Sequence, residues 1–355
     1  MIERIKGIRA GLSEAECEAF LSFHPPTNQY LANFTGTTSC IIITAEDALF
    51  LCDFRYTEQA ERTVRDYAVH EVPGDLIERA AERLNSLGVK RVAFEPANLT
   101  VAQHDSVGET FEGELVGAPR IVTELRERKS AEEIERIRAA SELKEATVMP
   151  LIENLQEGVR ESDLAAEIEY ALRKAGASGV SFPPIVAFGE GSSLPHYSPG
   201  ARALKKGDII LIDCGCVLNG YCSDWTRSFC FGNIPGSWFE EIYAVTLDAQ
   251  RAGLAACRPG ASCREVDAAA RNIIQDAGHG DHFGHGLGHG LGIEVHESPR
   301  LNPTSSATLA PGMVVTVEPG IYLAGQGGVR IEDLVAITEN GHEVLTRVPK
   351  ELRVL

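Results

Sequence analysis

The sequence predicts a mixed protein in two parts: a small α/β domain, then a larger α+β domain on a largely antiparallel sheet. Three observations point there. The first 125 or so residues alternate amphipathic helical stretches with short apolar runs of strand type. A charged segment from Glu124 to Arg138 then opens a long helix. From Gly207 onward the pattern turns to strands, broken by two helical stretches. At 355 residues, each part is long enough to bury a core of its own.

The elements follow in order. Ser39–Thr44 and Ala48–Asp53 are apolar runs of strand length, and Arg91–Glu95 is a third. Asp75–Leu87 is charged and amphipathic, with Gly88 where a helix C-cap prefers glycine. Ser130 with Glu133 three residues later forms a capping-box signature, so a helix should begin near Ala131. The expected domains are therefore residues 1–125 and 126–355. A second helix is expected over Asp163–Ala175, with Ser162 as N-cap, Leu164, Ile168, Leu172 and Ala175 on one side, and Gly176 after it. Further helices are expected near 237–257 and 263–277. No short-period repeat or low-complexity tract interrupts them.

Composition narrows the function. Apolar residues make up 44% and charged residues 24%, as in ordinary globular proteins. The formal net charge of -18 argues against nucleic acid or an anionic membrane as partner, since both need a basic footprint. The N-terminal stretch Met1-Ile-Glu-Arg-Ile-Lys-Gly lacks the apolar core of a signal peptide, and no run approaches a membrane span. The expected location is cytoplasmic. Nine scattered cysteines read as reduced, buried side chains rather than a disulfide framework. Cys214, Cys216, Cys222 and Cys230 contain no CxxC pair, and the strand alternation places them on different faces, so they do not read as a zinc site.

The chemistry concentrates around two aspartates, Asp213 and Asp224, on either side of Asn219-Gly220. Asn-Gly between apolar runs predicts a two-residue β-hairpin. That turn pairs Leu218 with Tyr221, and counting back pairs Gly215 with Asp224 and Asp213 with Thr226. Paired residues share a face, so the two carboxylates project together and need a proton or a cation between them. The segment His279–Arg300 holds five of the ten histidines, and seven glycines lie between Gly278 and Gly292. Leu287, Leu291, Ile293 and Val295 form an apolar alternation expected to lead into a strand. The glycines beside each histidine are expected to let backbone approach an ion or substrate closely. So much glycine excludes the HExxH helix of zinc proteases. Glu318 and Glu332 add two carboxylates in strand-like contexts. Four carboxylates with one imidazole suit Mn(II), Co(II) or Fe(II), with Zn(II) possible, better than soft thiolate sites do.

Asp213, Asp224, His289 in Gly-His-Gly-Leu-Gly, Glu318 in Val-Glu-Pro-Gly-Ile-Tyr and Glu332 in Arg-Ile-Glu-Asp together resemble the five-ligand signature of the pita-bread metallopeptidases. Within that superfamily the chain is similar to the proline-specific branch, Xaa-Pro dipeptidase (prolidase) and aminopeptidase P. Asn28-Gln-Tyr-Leu-Ala-Asn-Phe-Thr-Gly and Asp53-Phe-Arg-Tyr-Thr-Glu-Gln-Ala resemble its creatinase/prolidase-type N-terminal domain.

The resemblance implies a curved, mainly antiparallel catalytic sheet and two divalent ions per subunit, Mn(II) or Co(II) first. It implies that Asp213 binds one ion, His289 and Glu318 the other, and that Asp224 and Glu332 bridge both. His196 and His296 match substrate-facing, proton-handling histidines, and His285 a further active-site histidine. Glu318 would also shuttle a proton. Tyr221 is expected on the substrate side, and Arg330 and Thr226 behind the ligands. Arg300 is a candidate clamp for a dipeptide's C-terminal carboxylate.

The implied partners are Xaa-Pro dipeptides or short peptides with proline second, and a second copy of the chain in a homodimer. Departures are small: Trp225 and Ser228 stand where the family more often has a β-branched residue and a threonine. His279 and His282 match no role and are expected on a solvated loop. Dipeptidase and aminopeptidase remain open, as does the native metal. A catalytically inactive binding module is the alternative of another class, against which all five ligands stand.

Overall fold

The computed structural model describes residues 2–355, and the chain divides into two compact units, Met1–Arg126 and Glu127–Leu355. The first unit begins with α1 (Ile2–Glu14), β1 (Ala19–Ser22), α2 (Pro25–Ala32), β2 (Ser39–Thr44) and β3 (Ala48–Cys52). It continues with α3 (Thr57–Thr63), β4 (Ala68–Glu71), α4 (Leu76–Ser86), β5 (Arg91–Phe94), α5 (Val101–Thr110) and β6 (Glu114–Gly117). Its six strands form one sheet in the order β4-β3-β2-β1-β5-β6. The β1–β2 and β2–β3 ladders are antiparallel and the outer ladders parallel. The α4 helix starts one residue after the expected Asp75, which instead caps it: Asp75 accepts from the Ile77 and Glu78 amides, a cap of about 1 kcal/mol. Ala80, Ala81 and Leu84 then face the sheet residues Ile42, Leu49, Leu51 and Val92 in one apolar cluster.

The short helix α6 (Thr123–Glu127) precedes α7 (Ala131–Glu153) and α8 (Glu161–Ala175). The Ser130–Glu133 capping box is formed in both directions. The α8 helix begins two residues earlier than its sequence suggested. Ser162 lies inside the first turn, and Arg160 occupies the cap position without a side-chain cap. The reason is tertiary: the Glu161 carboxylate is buried and takes its donors from elsewhere in the unit.

The strands of this unit are β7 (Gly179–Val180), β8 (Ile185–Phe188), β9 (Ile209–Cys214), β10 (Cys216–Leu218), β11 (Tyr221–Cys222) and β12 (Trp225–Cys230). After α9 (Ser237–Ala256) and α10 (Cys263–Asp276) come β13 (Gly288–Gly290), β14 (Glu297–Leu301), β15 (Val314–Val317), β16 (Gly320–Leu323), β17 (Gly327–Arg330), β18 (Asp333–Thr338) and β19 (Gly341–Val344). All ladders among these strands are antiparallel. Among the described residues no helix is long and apolar enough to cross a membrane.

Alternation along β9 and β12 decides what faces what. Ile210, Ile212, Cys214, Trp225 and Phe229 pack with Ala140, Val148, Leu164, Ile168 and Leu172 of α7 and α8. Each large apolar side chain buried there is worth about 1.5–3 kcal/mol. Leu211 and Asp213 consequently fall on the opposite face, where Leu211 meets Ile185 and Ala187. In the same way Val315 and Val317 of β15 and Val335 and Ile337 of β18 pack against α9 and α10, with Phe239, Val266 and Ala270.

The hairpin register is the one its turn predicts: Leu218 opposes Tyr221, and Asp213 opposes Thr226. The ladder breaks between these pairs, at Gly215 and at Ser223–Asp224. There the Ser223 carbonyl crosses so closely that a Cβ on Gly215 would sit 2.0 Å from it. Two glycines flanking His289 have a similar origin. A Cβ on Gly288 would lie 2.0 Å from the Thr316 carbonyl oxygen, and one on Gly290 2.1 Å from that of Ser298. Backbone from neighbouring strands therefore fills the space that a side chain would need at these three positions. The apolar alternation through Ile293 and Val295 leads into β14, as expected, and lies outside the strands itself. The β13 strand ends at Gly290, the register shifts beside His289, and 291–296 turn back into β14. Leu287 and Leu291 are drawn into different apolar clusters, which an uninterrupted strand would not allow.

Candidate metal centre

Five side chains named from the sequence converge on one cavity of ≈ 630 Å³: Asp213, Asp224, His289, Glu318 and Glu332. They arrive from separate elements. Asp213 ends β9, Asp224 lies where β11 leads to β12, and His289 is the middle residue of β13. Glu318 follows β15, and Glu332 joins β17 to β18. One ligand atom from each of Asp224, His289 and Glu332 lies within 4.8 Å of the others. Glu318 joins this group through His289, its Oε1 lying 3.3 Å from Nε2, while Asp224 Oδ2 is 3.8 Å from the same nitrogen. Asp213 is turned partly aside: its Oδ2 accepts from Arg330 Nη2 at 2.5 Å.

The hydrogen bonds define what these groups offer. His289 Nδ1 donates to the Gly290 carbonyl at 3.0 Å, which leaves the Nε2 lone pair facing two carboxylate oxygens. Burial holds this imidazole down to about 3, so it stays neutral. A lone pair against carboxylate oxygens is repulsive unless a proton or cation lies between them. Asp213 Oδ1 and Asp224 Oδ1 are buried without a hydrogen-bond partner. Burial, with Glu332, Asp213 and Glu318 nearby, pushes Asp224 well above the usual carboxylate range. Burial, then the Glu318 and Asp213 charges, does the same to Glu332. Burial raises Glu318 to about 7, opposed by Arg330. Two orphaned carboxylate oxygens and one imidazole lone pair at one place fit hard or borderline divalent cations, whose charge reverses these shifts.

Further side chains hold these groups in place. Thr226 Oγ1 donates to Glu332 Oε2 at 2.7 Å and accepts from Arg330 Nε at 2.9 Å. Three residues that sequence reasoning passed over belong here. Thr316 Oγ1 accepts from the His289 amide and donates to Glu318 Oε1, both at 3.0 Å. Tyr322 Oη accepts from Arg330 Nη1 at 3.0 Å and lies 2.9 Å from His285 Nε2. Arg227, fully buried, donates to the Glu332 carbonyl at 2.5 Å and to Asp333 Oδ1 at 2.7 Å. Thr316 was within reach of the sequence, since it stands two residues before Glu318 along one strand direction. Tyr322 and Arg227 had no comparable signal.

His196, His285, His296 and Arg300 also line the cavity. The His296 ring centroid lies 4.5 Å from that of His289, edge to face. Arg300 is opposite His289 in the β13–β14 ladder and exposed. His285 is held by its Nδ1 bond to the Gly286 carbonyl at 2.8 Å and by Tyr322, and burial with Arg330 lowers it to about 4. Phe182, Pro183, Pro184, Pro195 and Pro199 add an apolar wall.

Tyr221 is a correction. Its hydroxyl donates to Glu133 Oε1 at 2.8 Å, and its ring packs with Ile137, Leu291 and Leu334. It lies outside the cavity lining because β11 turns this face toward α7. His279 and His282 also lie outside it; their ring centroids are 6.0 Å apart, and His279 Nε2 is 3.8 Å from Glu241 Oε1. The cysteines are all free thiols, and burial pushes Cys222 up to about 12, against thiolate ligation.

Comparison with known proteins agrees with this geometry. Residues 135–339 match the model of metallopeptidase family M24, and residues 4–128 that of the Creatinase/Prolidase N-terminal domain. An uncharacterized peptidase of Bacillus subtilis is 43% identical over 92% of this chain and 93% of its own length. The structure of an Xaa-Pro dipeptidase from Bacillus anthracis superposes with a TM-score of 0.97 at 38% identity, covering 100% of this chain and 99% of that one. An X-Pro aminopeptidase from Thermotoga maritima gives a TM-score of 0.90 at 35% identity, covering 98% of this chain and all (100%) of its own. The chain thus has the creatinase-like domain followed by the pita-bread domain, and it belongs to metallopeptidase family M24, in its prolidase branch.

Proposed function

We propose that this metallopeptidase cleaves the peptide bond between an N-terminal residue and proline, with dipeptides as its main substrates. One observation carries the reading: in a cavity walled by proline and phenylalanine, a neutral imidazole lone pair faces the Asp224 and Glu318 carboxylates, and Asp213 and Asp224 each keep an orphaned buried oxygen. Asp213, Asp224, His289, Glu318 and Glu332 would hold two divalent cations, Mn(II) or Co(II) in preference to Zn(II) or Fe(II), with Asp224 and Glu332 shared. Bound there, the cations would acidify water and polarise the scissile carbonyl.

The chain's own groups do the rest. His296, beside His289, donates toward the carbonyl oxygen as its charge develops. Glu318 moves a proton toward the leaving proline nitrogen. His196 and His285 flank the substrate from the other walls. A bond to proline has no N–H to read, so shape must identify the ring, and the Phe182-Pro183-Pro184 wall presents an apolar surface for it. Arg300 pairs with the C-terminal carboxylate of a dipeptide.

The likeness to an X-Pro aminopeptidase favours a second reading, action on longer peptides with proline second. Metal analysis of the purified protein, then cleavage of Gly-Pro against Gly-Pro-Pro with added Mn(II), separates them. Two metal equivalents and faster Gly-Pro cleavage are expected. Faster Gly-Pro-Pro cleavage would support the aminopeptidase, and no metal with no cleavage would remove both. We also propose a homodimer, to be read by light scattering.

A further inference from the structure

Among the described residues nothing hydrogen-bonds the His196 ring, so its place in the cavity is set by its backbone. That backbone belongs to the loop from the end of β8 at Phe188 to Gly200. Both ends of the loop run to one carboxylate. Glu161, the first residue of α8 and fully buried, accepts from the Phe188 amide through Oε1 at 2.8 Å. Its Oε2 accepts from the Tyr197 hydroxyl at 2.8 Å and from the Gly200 amide at 3.0 Å. On the far side, Arg330 Nη1 donates to the Pro195 carbonyl at 3.3 Å, and the same guanidinium holds Asp213.

We propose that Glu161 is a positioning residue for His196, fixing the loop that presents this histidine to substrate; this rests on the peptidase reading above. A buried carboxylate without a cationic side chain is costly to keep unless its oxygens are fully used. Here three donors and the first turn of α8 supply that stabilisation. The three donors span the loop from its first residue to its last, so the carboxylate closes it much as a staple would. Tyr197 is directly bonded to Glu161 and directly follows His196, which leaves His196 little freedom along the chain. A glutamine in its place would turn an NH2 donor toward one of these donors, so at least one of the three bonds is lost while the volume is kept.

Two readouts test this in the full-length, Mn(II)-loaded protein. Hydrogen exchange should show faster exchange of amides 189–200 in Glu161→Gln than in wild type, with α9 and α10 unchanged. Unchanged protection of the loop overturns the proposal whether or not the protein cleaves Xaa-Pro bonds. On Gly-Pro, Glu161→Gln should lower kcat/KM about tenfold alone and less than about twofold in a His196→Ala background, the non-additivity of residues acting through one another. It should also divide between kcat and KM as His196→Ala does. Additive effects would overturn the proposal, since a purely structural role would add. If Glu161→Gln does not fold, Tyr197→Phe, which removes one bond of the three, carries the same two measurements with smaller effects. A wild-type protein inactive on every Xaa-Pro substrate would remove the peptidase reading and leave the exchange test standing.

Discussion

The floor of the cavity and its rim both use histidine but are held in different ways. Asp224, His289 and Glu332 are buried and lie in or beside strand ladders; Thr316 braces His289, and Thr226, itself held by Arg330, braces Glu332. His196, His296 and Arg300 are exposed. His196 sits in a loop, while His296 and Arg300 lie at and within the return strand β14. The floor inherits its geometry from strand register, so its ligand atoms approach within 4.8 Å. The rim depends on distant anchors such as the Glu161 carboxylate. A rigid, desolvated floor suits cations, which tolerate little ligand error, whereas an exposed rim suits peptides that must enter and leave.

The largest way to break this contrast is at the floor. Glu332→Gln removes one charge from the ligand set, and we expect a loss of kcat/KM of about a thousandfold, or roughly 4 kcal/mol. Metal content by mass spectrometry should fall with it, and near-normal metal and rate would refute the floor assignment. At the rim, Arg300→Ala should raise KM for Gly-Pro about tenfold while changing it little for Gly-Pro-Pro. Equal effects on both substrates would mean that Arg300 clamps no dipeptide carboxylate.

A smaller effect compares the floor with and without metal across pH. Asp224 and Glu332 are raised, Glu318 lies at about 7, and His289 is held at about 3. Raised carboxylates keep protons in the folded, metal-free protein that the unfolded chain has already released above its ordinary range. The contribution of each is therefore present at low pH and lost as pH rises through its raised value, about 7 for Glu318. His289 acts oppositely, but only below the ordinary histidine range, where the unfolded chain takes up protons. From about pH 6.5 to 8 the carboxylates alone decide, so the Tm gap between metal-loaded and EDTA-stripped protein should widen with pH. A gap that is flat or narrows would contradict the burial of these carboxylates.

The smallest expected effect lies outside both tiers. Tyr221→Phe should leave kcat and KM within about twofold while lowering stability by about 1 kcal/mol, the usual net worth of one hydrogen bond. Thermal unfolding and steady-state rates would check it, and a large change in KM would return Tyr221 to the substrate side.

Much of this was legible beforehand for a physical reason. The Asn219-Gly220 turn and a period of two set the pairing of Asp213 with Thr226, because register propagates from a turn without long-range help. The capping box at Ser130 is equally local. Reading failed where tertiary contacts outweighed local signals. Ser162 looks like an N-cap, yet the donors to Glu161 start the helix earlier. Tyr221 shares the hairpin with the ligands, yet it faces α7 rather than the cavity.

By itself, then, the sequence singled out the candidate groups and set the hairpin pairing of Asp213 with Thr226, since turn chemistry and alternation are properties of neighbouring residues. Only the tertiary structure decided that β9, β13, β15 and β18 bring those groups to one cavity. It also decided that Tyr322 joins Arg330 to His285, and that one buried glutamate closes the His196 loop. Such meetings arise from packing between segments far apart in the chain, where hydrophobic burial and the satisfaction of buried polar groups are settled together and no local pattern records the partner.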